Sequence, residues 1–233
     1  VISGVLQNAS WLVTDRTGGT SQEAFAFNNL AVHVGDEPTS VAGNRARLEA
    51  RLGRPIVFSR PAHSNRVHHV TGPGADVSGV DALITDRTDL AIAALGADCA
   101  MVALAVGGWV AAIHCGWRGL VSEVVPATLD ALEGQGADLR AAQAHLGPAI
   151  CGRCYAVDES RAMQVRAVCE SAVVTGSNGL GVDVRVGIID QLAGWGISAT
   201  WDRRCTAEDP ALYSYRRDGH TGRQAIVVAR ESS

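Results

Sequence analysis

The ten residues "AAIHCGWRGL", 111–120, run from an apolar stretch into adjacent His114 and Cys115, then into glycines flanking Trp117 and Arg118. An imidazole beside a thiol admits three readings: metal ligands, a nucleophile with its base, or a buried strand that closes in a tight turn. Glycine at a strand end lets the backbone approach a ligand and lets a helix begin at once, which would put Arg118 near the positive end of that helix as an anion contact. Upstream, "GADCAM" places Asp98 and Cys99 ahead of the strand carrying His114. Consecutive strands tend to be neighbours, so Cys99 and His114 can face one pocket, as thiolate and base or as two zinc ligands, with a buried, inert cysteine as the plain alternative. "RPAHSNRVHHV" adds His63 in a loop-like setting, and His68 and His69 in a strand-like run. Those two adjacent histidines point to opposite faces and cannot serve one site together. If His63 joins Cys99 and His114, two imidazoles and one thiolate leave a fourth position open, the layout of a catalytic zinc rather than a closed structural one.

Two further clusters are weaker. Cys151 and Cys154 form a Cys-x-x-Cys, but there is no second such pair to complete a zinc ribbon, and the preceding "LGPAI" is not a thioredoxin-like context. "SYRRDGHTGR", 214–223, holds Arg216, Arg217 and Arg223 around a glycine turn, a fork that suits phosphate or carboxylate, with a solvated hairpin as the plain alternative.

These residues must be positioned by a core of small apolar side chains. Of 233 residues, 47% are hydrophobic but only 5% aromatic, so Val, Ala, Leu and Ile in layers carry the interior and a sheet-rich α/β or α+β plan is favoured. We expect one domain, 1–233. "PIVFS", "RVHHV", "ALIT", "LAIAAL", "AMVALAV", "WVAAIHC", "AQAHLG", "ATWDRR" and "RQAIVVARE" read as strands. "SVAGNRARLEARLG", "GLVSEVVPATLDALEGQG", "ESRAMQVRAVCE" and "VRVGIIDQLAGWG" read as helices, and "VVTGSNGLGVD", 173–183, as a loop. The run Ala91 to Ile113 has the length of a membrane helix, but Asp98 and the Gly107-Gly108 pair divide it into buried strands.

All twenty basic residues are arginine and the net charge is -4, which argues against a nucleic-acid partner while leaving room for a local phosphate site. The six cysteines are expected to be reduced, since a chain of this size does not need a disulfide frame. "VISGVLQNAS" has neither a basic n-region nor a long apolar core, so a cytoplasmic location without membrane attachment is expected.

In order along the chain, "TDRTGGTS", "FNNLAVHVGDEPTSVAGNR", "PAHSNRV", "GADCAMVAL", "HCGWRG", "LGPAICGRCYAV" and "RCTAEDPALYSYRRDGHTGR" resemble the blocks of the YfiH family, also called the multicopper polyphenol oxidoreductase or laccase-domain family. The resemblance covers nearly the whole chain. It implies an α+β fold, a mixed β-sandwich flanked by helices, and zinc ligands at His63, Cys99 and His114. It implies phosphorolysis of purine nucleosides (adenosine, inosine, guanosine, 5′-methylthioadenosine) together with adenosine deamination, with nucleoside and phosphate as the small-molecule partners. The chain departs from the family pattern at Pro61-Ala62 in place of Gln-Val, Ser64 in place of Gly, Ala100 in place of Pro and Cys115 in place of Ala. The ligands survive these changes.

Reducing oxygen to water takes four electrons and a set of copper centres, whereas this chain has seven histidines and no His-x-His pair, so copper in the site is the alternative to zinc and laccase chemistry is the weaker expectation. For phosphorolysis, Cys99, His114 and Arg118 are the expected catalytic residues, and Arg118, Arg216 and Arg45 of "VAGNR" the expected substrate contacts. Two rivals stand beside this: a cysteine hydrolase using Cys99 and His114, of the peptidoglycan-editing kind, and a non-catalytic zinc-binding modulator of a partner enzyme. The deaminase signature His-x-Glu with Pro-Cys-x-x-Cys is absent.

Overall fold

The apolar run from Ala91 to Ile113 sets the architecture. In the computed structural model, which describes residues 1–176 and 179–232, this run forms three successive strands. They are separated at Ala97–Cys99 and at the Gly107–Gly108 turn, where φ of 51° and 87° suits residues without a Cβ. The strands are β1 (Ile2–Leu6), β2 (Ala9–Val13), β3 (Ile56–Arg60), β4 (Val67–His69), β5 (Val77–Ser78), β6 (Ala82–Thr85), β7 (Ala91–Gly96), β8 (Ala100–Val106), β9 (Trp109–Cys115), β10 (Gln143–Leu146), β11 (Val173–Gly176), β12 (Gly179–Val182), β13 (Ser198–Trp201) and β14 (Gln224–Arg230). The helices are α1 (Pro38–Leu52), α2 (Trp117–Val121), α3 (Val124–Gly134), α4 (Glu159–Arg166), α5 (Val184–Gly194) and α6 (Tyr215–Asp218).

Two six-stranded mixed sheets pack face to face, one in the order β1-β2-β14-β7-β3-β5 and the other β13-β10-β8-β9-β6-β4. Val13, Ile92, Ala94, Met101, Ala103, Ala112, Ile226 and Val228 fill the space between them. The alternate residues face outward: Leu95, Ala93 and Val227 under Leu48 of α1, and Val102, Leu104 and Ile113 under Leu120, Val125 and Leu129 of α2 and α3. Central strands are thus buried on both faces, which is why their sequences are continuously apolar rather than alternating. Each fully buried Val, Leu or Ile contributes roughly 1.5–3 kcal/mol, so this run belongs inside the sandwich. No helix among the described residues is long and apolar enough to cross a membrane. The fold is α+β, as the resemblance implies.

α1 begins at Pro38 and stops where Gly53 adopts a left-handed φ of 69°, the expected start and stop signals. Two expectations need correction. The single helix expected over 119–136 is two, because Glu123 takes a left-handed φ of 60° and α3 restarts with Val124 and Val125 turned onto the sheet. The loop expected over 173–183 is instead a hairpin, β11 paired with β12, with residues 177–178 outside the described residues. Its short, glycine-rich strands, VVTG and GLGV, lack the alternation that normally marks a strand.

Across the sandwich, His145 of β10 stacks on Trp11 of β2 with ring centroids 3.6 Å apart, and its Nδ1 bonds the Thr200 hydroxyl at 2.8 Å. Burial lowers the His145 pKa from 6.5 to about 4, against a smaller opposing pull from Asp202. The unfolded chain therefore takes up a proton that the native ring refuses, and this contribution to stability is lost as pH falls from 6.5 toward about 4. Urea denaturation of His145→Phe is expected to show a smaller loss of stability between pH 7 and about 4.5 than the parent chain. An unchanged acid slope would contradict the assignment.

Candidate metal centre and anion pocket

"SGVDALIT" puts a carboxylate at the head of a fully buried strand, which is costly unless every lone pair finds a donor. Asp81 finds them in the chain that carries His63. Its oxygens accept the backbone N–H groups of Ala62 (3.2 Å), His63 (3.0 Å) and Ser64 (2.8 Å) and the Ser64 hydroxyl (2.7 Å). The same carboxylate accepts His114 Nδ1–H at 2.9 Å, and the Asp81 carbonyl accepts the His114 backbone N–H at 2.7 Å. Burial pushes the Asp81 pKa up, but the bonds from His114 and Ser64 outweigh it and hold it at about 2. Asp81 thus fixes the His63 loop, with its left-handed φ of 57° at His63, and the tautomer and direction of the His114 ring.

Pairing of β8 with β9 sets Met101 opposite His114 and Ala100 opposite Cys115, so Cys99, just before β8, reaches the end of β9. Cys99 Sγ lies 3.9 Å from His63 Nε2, and the His63 and His114 rings meet edge to face with centroids 4.9 Å apart. One donor atom from each of His63, Cys99 and His114 falls within 4.8 Å of the other two. With Nδ1 of His114 engaged by Asp81, Nε2 is the atom left to bind. Two imidazoles and a thiolate on a carboxylate-anchored frame fit a zinc or copper ion. A Cβ on Gly116 would lie 3.0 Å from Cys99 Sγ and 3.2 Å from His63 Cδ2, so the space between the donors depends on that glycine.

Burial raises the pKa of Cys99, but the nearby His114 and His63 outweigh it and bring the thiol to about 6; burial lowers that of His114, but Cys99 and Asp81 raise it to about 9. Each charged form favours the other, toward thiolate and imidazolium, and an ion bound at Nε2 would displace a proton held there. Cys115, by contrast, is driven well above the ordinary thiol range by burial and by the negative charge of Cys99 and Asp81. It points to the opposite face of β9, into the helix-covered core, and is inert.

The trio opens into a cavity of about 560 Å³, a size suited to a small molecule. Its walls include Trp117, Tyr155 and Tyr215 and the guanidinium groups of Arg118, Arg161, Arg216 and Arg223. Among the described residues, Arg118, Arg216 and Arg223 have no carboxylate within ion-pair distance. Arg216 donates to the carbonyls of Cys154 (3.5 Å) and Ala156 (3.2 Å), and Arg118 lies over the Trp117 ring at 4.6 Å. Asp98, with a left-handed φ of 90°, braces this wall: it accepts the Thr206 hydroxyl and the Arg216 backbone N–H, both at 2.6 Å. Arginines without a carboxylate ion-pair partner beside the His63, Cys99 and His114 donors are suited to an anion.

Arg45, an expected substrate contact, and Arg217, one member of the candidate arginine fork, lie outside the cavity lining. Arg45 donates twice to Asp76, at 2.7 and 3.0 Å, and once to the Leu30 carbonyl, and it covers the Phe58 ring; it does not line the cavity. Arg217 is occupied by Asp218 and by the carbonyls of Thr206, Asp209 and Leu212. Sequence reasoning passed over Asp81, Tyr155, Arg161 and Tyr215. Only Asp81 carried a clear signal, as a lone charge against the apolar run "ALIT".

Residues 10–231 match the family described as multi-copper polyphenol oxidoreductase laccase. A purine nucleoside phosphorylase of Streptomyces griseus is 42% identical over 237 residues, covering 96% of this chain and 95% of that protein. One of Mycobacterium tuberculosis is 41% identical over 228 residues, covering 94% and 91%. The crystal structure of the hypothetical protein YfiH of Bacillus licheniformis superposes with a TM-score of 0.90 at 26% identity, covering 96% of this chain and 93% of that one.

Gly116→Ala is expected to fold while crowding the donors, lowering zinc affinity roughly 10–100-fold, the range for disturbing a ligand's support. Competition titration against a chromophoric chelator measures it. Unchanged affinity would show that the gap at Gly116 is not the metal's.

Proposed function

The chain belongs to the YfiH, or multi-copper polyphenol oxidoreductase laccase, family, and on that premise we propose that it is a metal-dependent phosphorylase of purine nucleosides, with adenosine deamination as a side activity. The observation that carries this reading is the pairing, in one cavity, of the His63, Cys99 and His114 donors with arginines lacking carboxylate partners. The relatives' names support the reaction class.

In this reading Arg118 and Arg216 hold phosphate against one side of the ribose, their charge directed where the phosphate oxygens gather. The faces of Tyr155 and Tyr215 take the flat purine. A phosphate oxygen forms its bond to C1′ as the bond from C1′ to the purine nitrogen breaks; the electron pair departs with the base, which collects a proton. Ribose 1-phosphate and free purine result. Little covalent chemistry falls to the protein, so positioning and charge supply most of the acceleration. A bound zinc ion would supply a Lewis acid and a water of pKa about 7, the chemistry adenosine deamination needs. His63, Cys99 and His114 would be its ligands, and Asp81 orients the two histidines. Arg45 and Arg217, being occupied, are left out of the substrate contacts.

Chromatography of adenosine with phosphate is expected to give adenine and ribose 1-phosphate, with inosine as a minor product, and Cys99→Ala is expected to lose both zinc at this site and turnover. Unchanged turnover in a Cys99→Ala protein without zinc at this site would overturn the metal mechanism. The low pKa of Cys99 beside His114 and Asp81 also suits a cysteine nucleophile; that reading requires activity to survive thorough chelation.

Arg118→Ala is expected to raise KM for phosphate roughly 10–100-fold, the worth of one charge-assisted hydrogen bond, while the nucleoside KM moves little. Steady-state kinetics with each substrate varied in turn measures it, and equal effects on both would contradict a phosphate contact.

A further inference from the structure

Cys151, Cys154, Cys205 and Glu208 are not part of the cavity lining, and one donor atom from each lies within 4.8 Å of all the others. We propose that these four side chains form a second, structural metal site that binds a zinc ion.

Two short turns build it. In the first, the N–H groups of Cys154 and Tyr155 both bond the Cys151 carbonyl, at 3.0 and 2.9 Å, which folds the Cys-x-x-Cys back on itself. In the second, the N–H groups of Glu208 and Asp209 bond the Cys205 carbonyl, at 3.1 and 2.9 Å, bringing Glu208 over Cys205. The turns are joined by a bridge between Ala149 and Cys205 and by the Thr206 N–H to the Ala149 carbonyl at 3.2 Å. Within the cluster, Cys154 Sγ is 3.5 Å from Glu208 Oε1, and the Cys151 N–H points at Cys205 Sγ from 3.3 Å, a donor that would support a thiolate.

The chemistry of the donor set selects the ion. Three thiolates exclude calcium and magnesium, and the carboxylate oxygen disfavours copper(I). Four protein donors complete a tetrahedron, so this site is closed where the His63, Cys99 and His114 site leaves a position open. On binding, each thiol loses its proton to solvent, and Arg153, 3.7 Å from Glu208 Oε1, offsets the accumulated negative charge. Cys205 is buried, Cys151 and Cys154 are half-buried and Glu208 is exposed, which leaves an entry path from water. All six cysteines are free thiols in the structure, so none is committed to a disulfide.

The site also has something to hold. Cys154 precedes Tyr155 in the cavity wall, and its carbonyl accepts from Arg216; Cys205 precedes Thr206, whose hydroxyl bonds Asp98, which in turn bonds the Arg216 backbone N–H. An ion clamping the two turns fixes Tyr155 and Arg216 relative to Cys99.

Metal analysis of the full chain, purified with reductant and without chelator and then equilibrated with Zn2+, is expected to find about two equivalents. About one should remain in Cys99→Ala, and about one in a Cys151→Ser, Cys205→Ser double variant. Co2+ added to metal-free Cys99→Ala, whose proposed cluster is intact, is expected to give an ultraviolet thiolate-to-cobalt band and the strong visible bands of a tetrahedral site. That arm stands even where the double variant does not fold. A parent chain holding about one equivalent with none in Cys99→Ala, or a Cys99→Ala protein lacking the thiolate-to-cobalt band, overturns the proposal. A non-reduced protein lighter by a pair of hydrogens, restored by reductant and mapped to this cluster, overturns it as well.

Discussion

A buried carboxylate with five donors holds this site together. Asp81 cannot be ionised in the sandwich without the N–H groups of residues 62–64, the Ser64 hydroxyl and His114 Nδ1, and none of those groups has its observed direction without Asp81. Satisfying the charge therefore organises the candidate donor set: it curls the His63 loop over the end of β9 and fixes the direction of the His114 ring. Breaking such a buried pair typically costs roughly 3–5 kcal/mol, so fold and site share this interaction.

The sheet supplies what Asp81 does not. Pairing of β8 with β9 carries Cys99 to His114 from a position well separated in sequence, and Gly116 leaves the room an ion needs between them. Around this corner the arginines divide into two populations. Arg45, Arg185, Arg204 and Arg217 are spent on carboxylates and carbonyls that tie the loops together. Arg118, Arg216 and Arg223 present charge to the cavity without a carboxylate partner among the described residues. An all-arginine chain uses the planar guanidinium for both tasks, since it bonds several oxygens at once and stacks on Trp117 and Tyr155.

The central strands were legible because burial on both faces leaves an apolar signature, and the approach of Cys99 to His114 because neighbouring strands bring them together; His63 entered only as a conditional third donor and through the family resemblance. The hairpin at 173–182 was not, because Thr175, Gly176, Gly179 and Gly181 carry no alternation; in the fold Gly181 packs so closely on Gly152 that a Cβ would lie 2.0 Å from its carbonyl oxygen. The helix break at Glu123 was hidden because a left-handed glutamate has no local sequence mark. Arg45 matched a motif, but only tertiary structure reveals that Asp76, far along the chain, claims it. Cys151 and Cys154 looked isolated for the same reason: Cys205 and Glu208 join them only through the bridge at Ala149. Pattern locates residues that face the core, while charge partners and donor sets depend on loops whose course no periodicity records.

If the frame built on Asp81 holds a metal ion between His63, Cys99 and His114, crystals of the zinc-equilibrated protein measured on either side of the zinc absorption edge will show it. The expected result is an anomalous peak about 2.0–2.3 Å from His63 Nε2, His114 Nε2 and Cys99 Sγ, with Asp81 still accepting from His114 Nδ1. A protein that is fully zinc-equilibrated yet shows no peak between those three residues would contradict it.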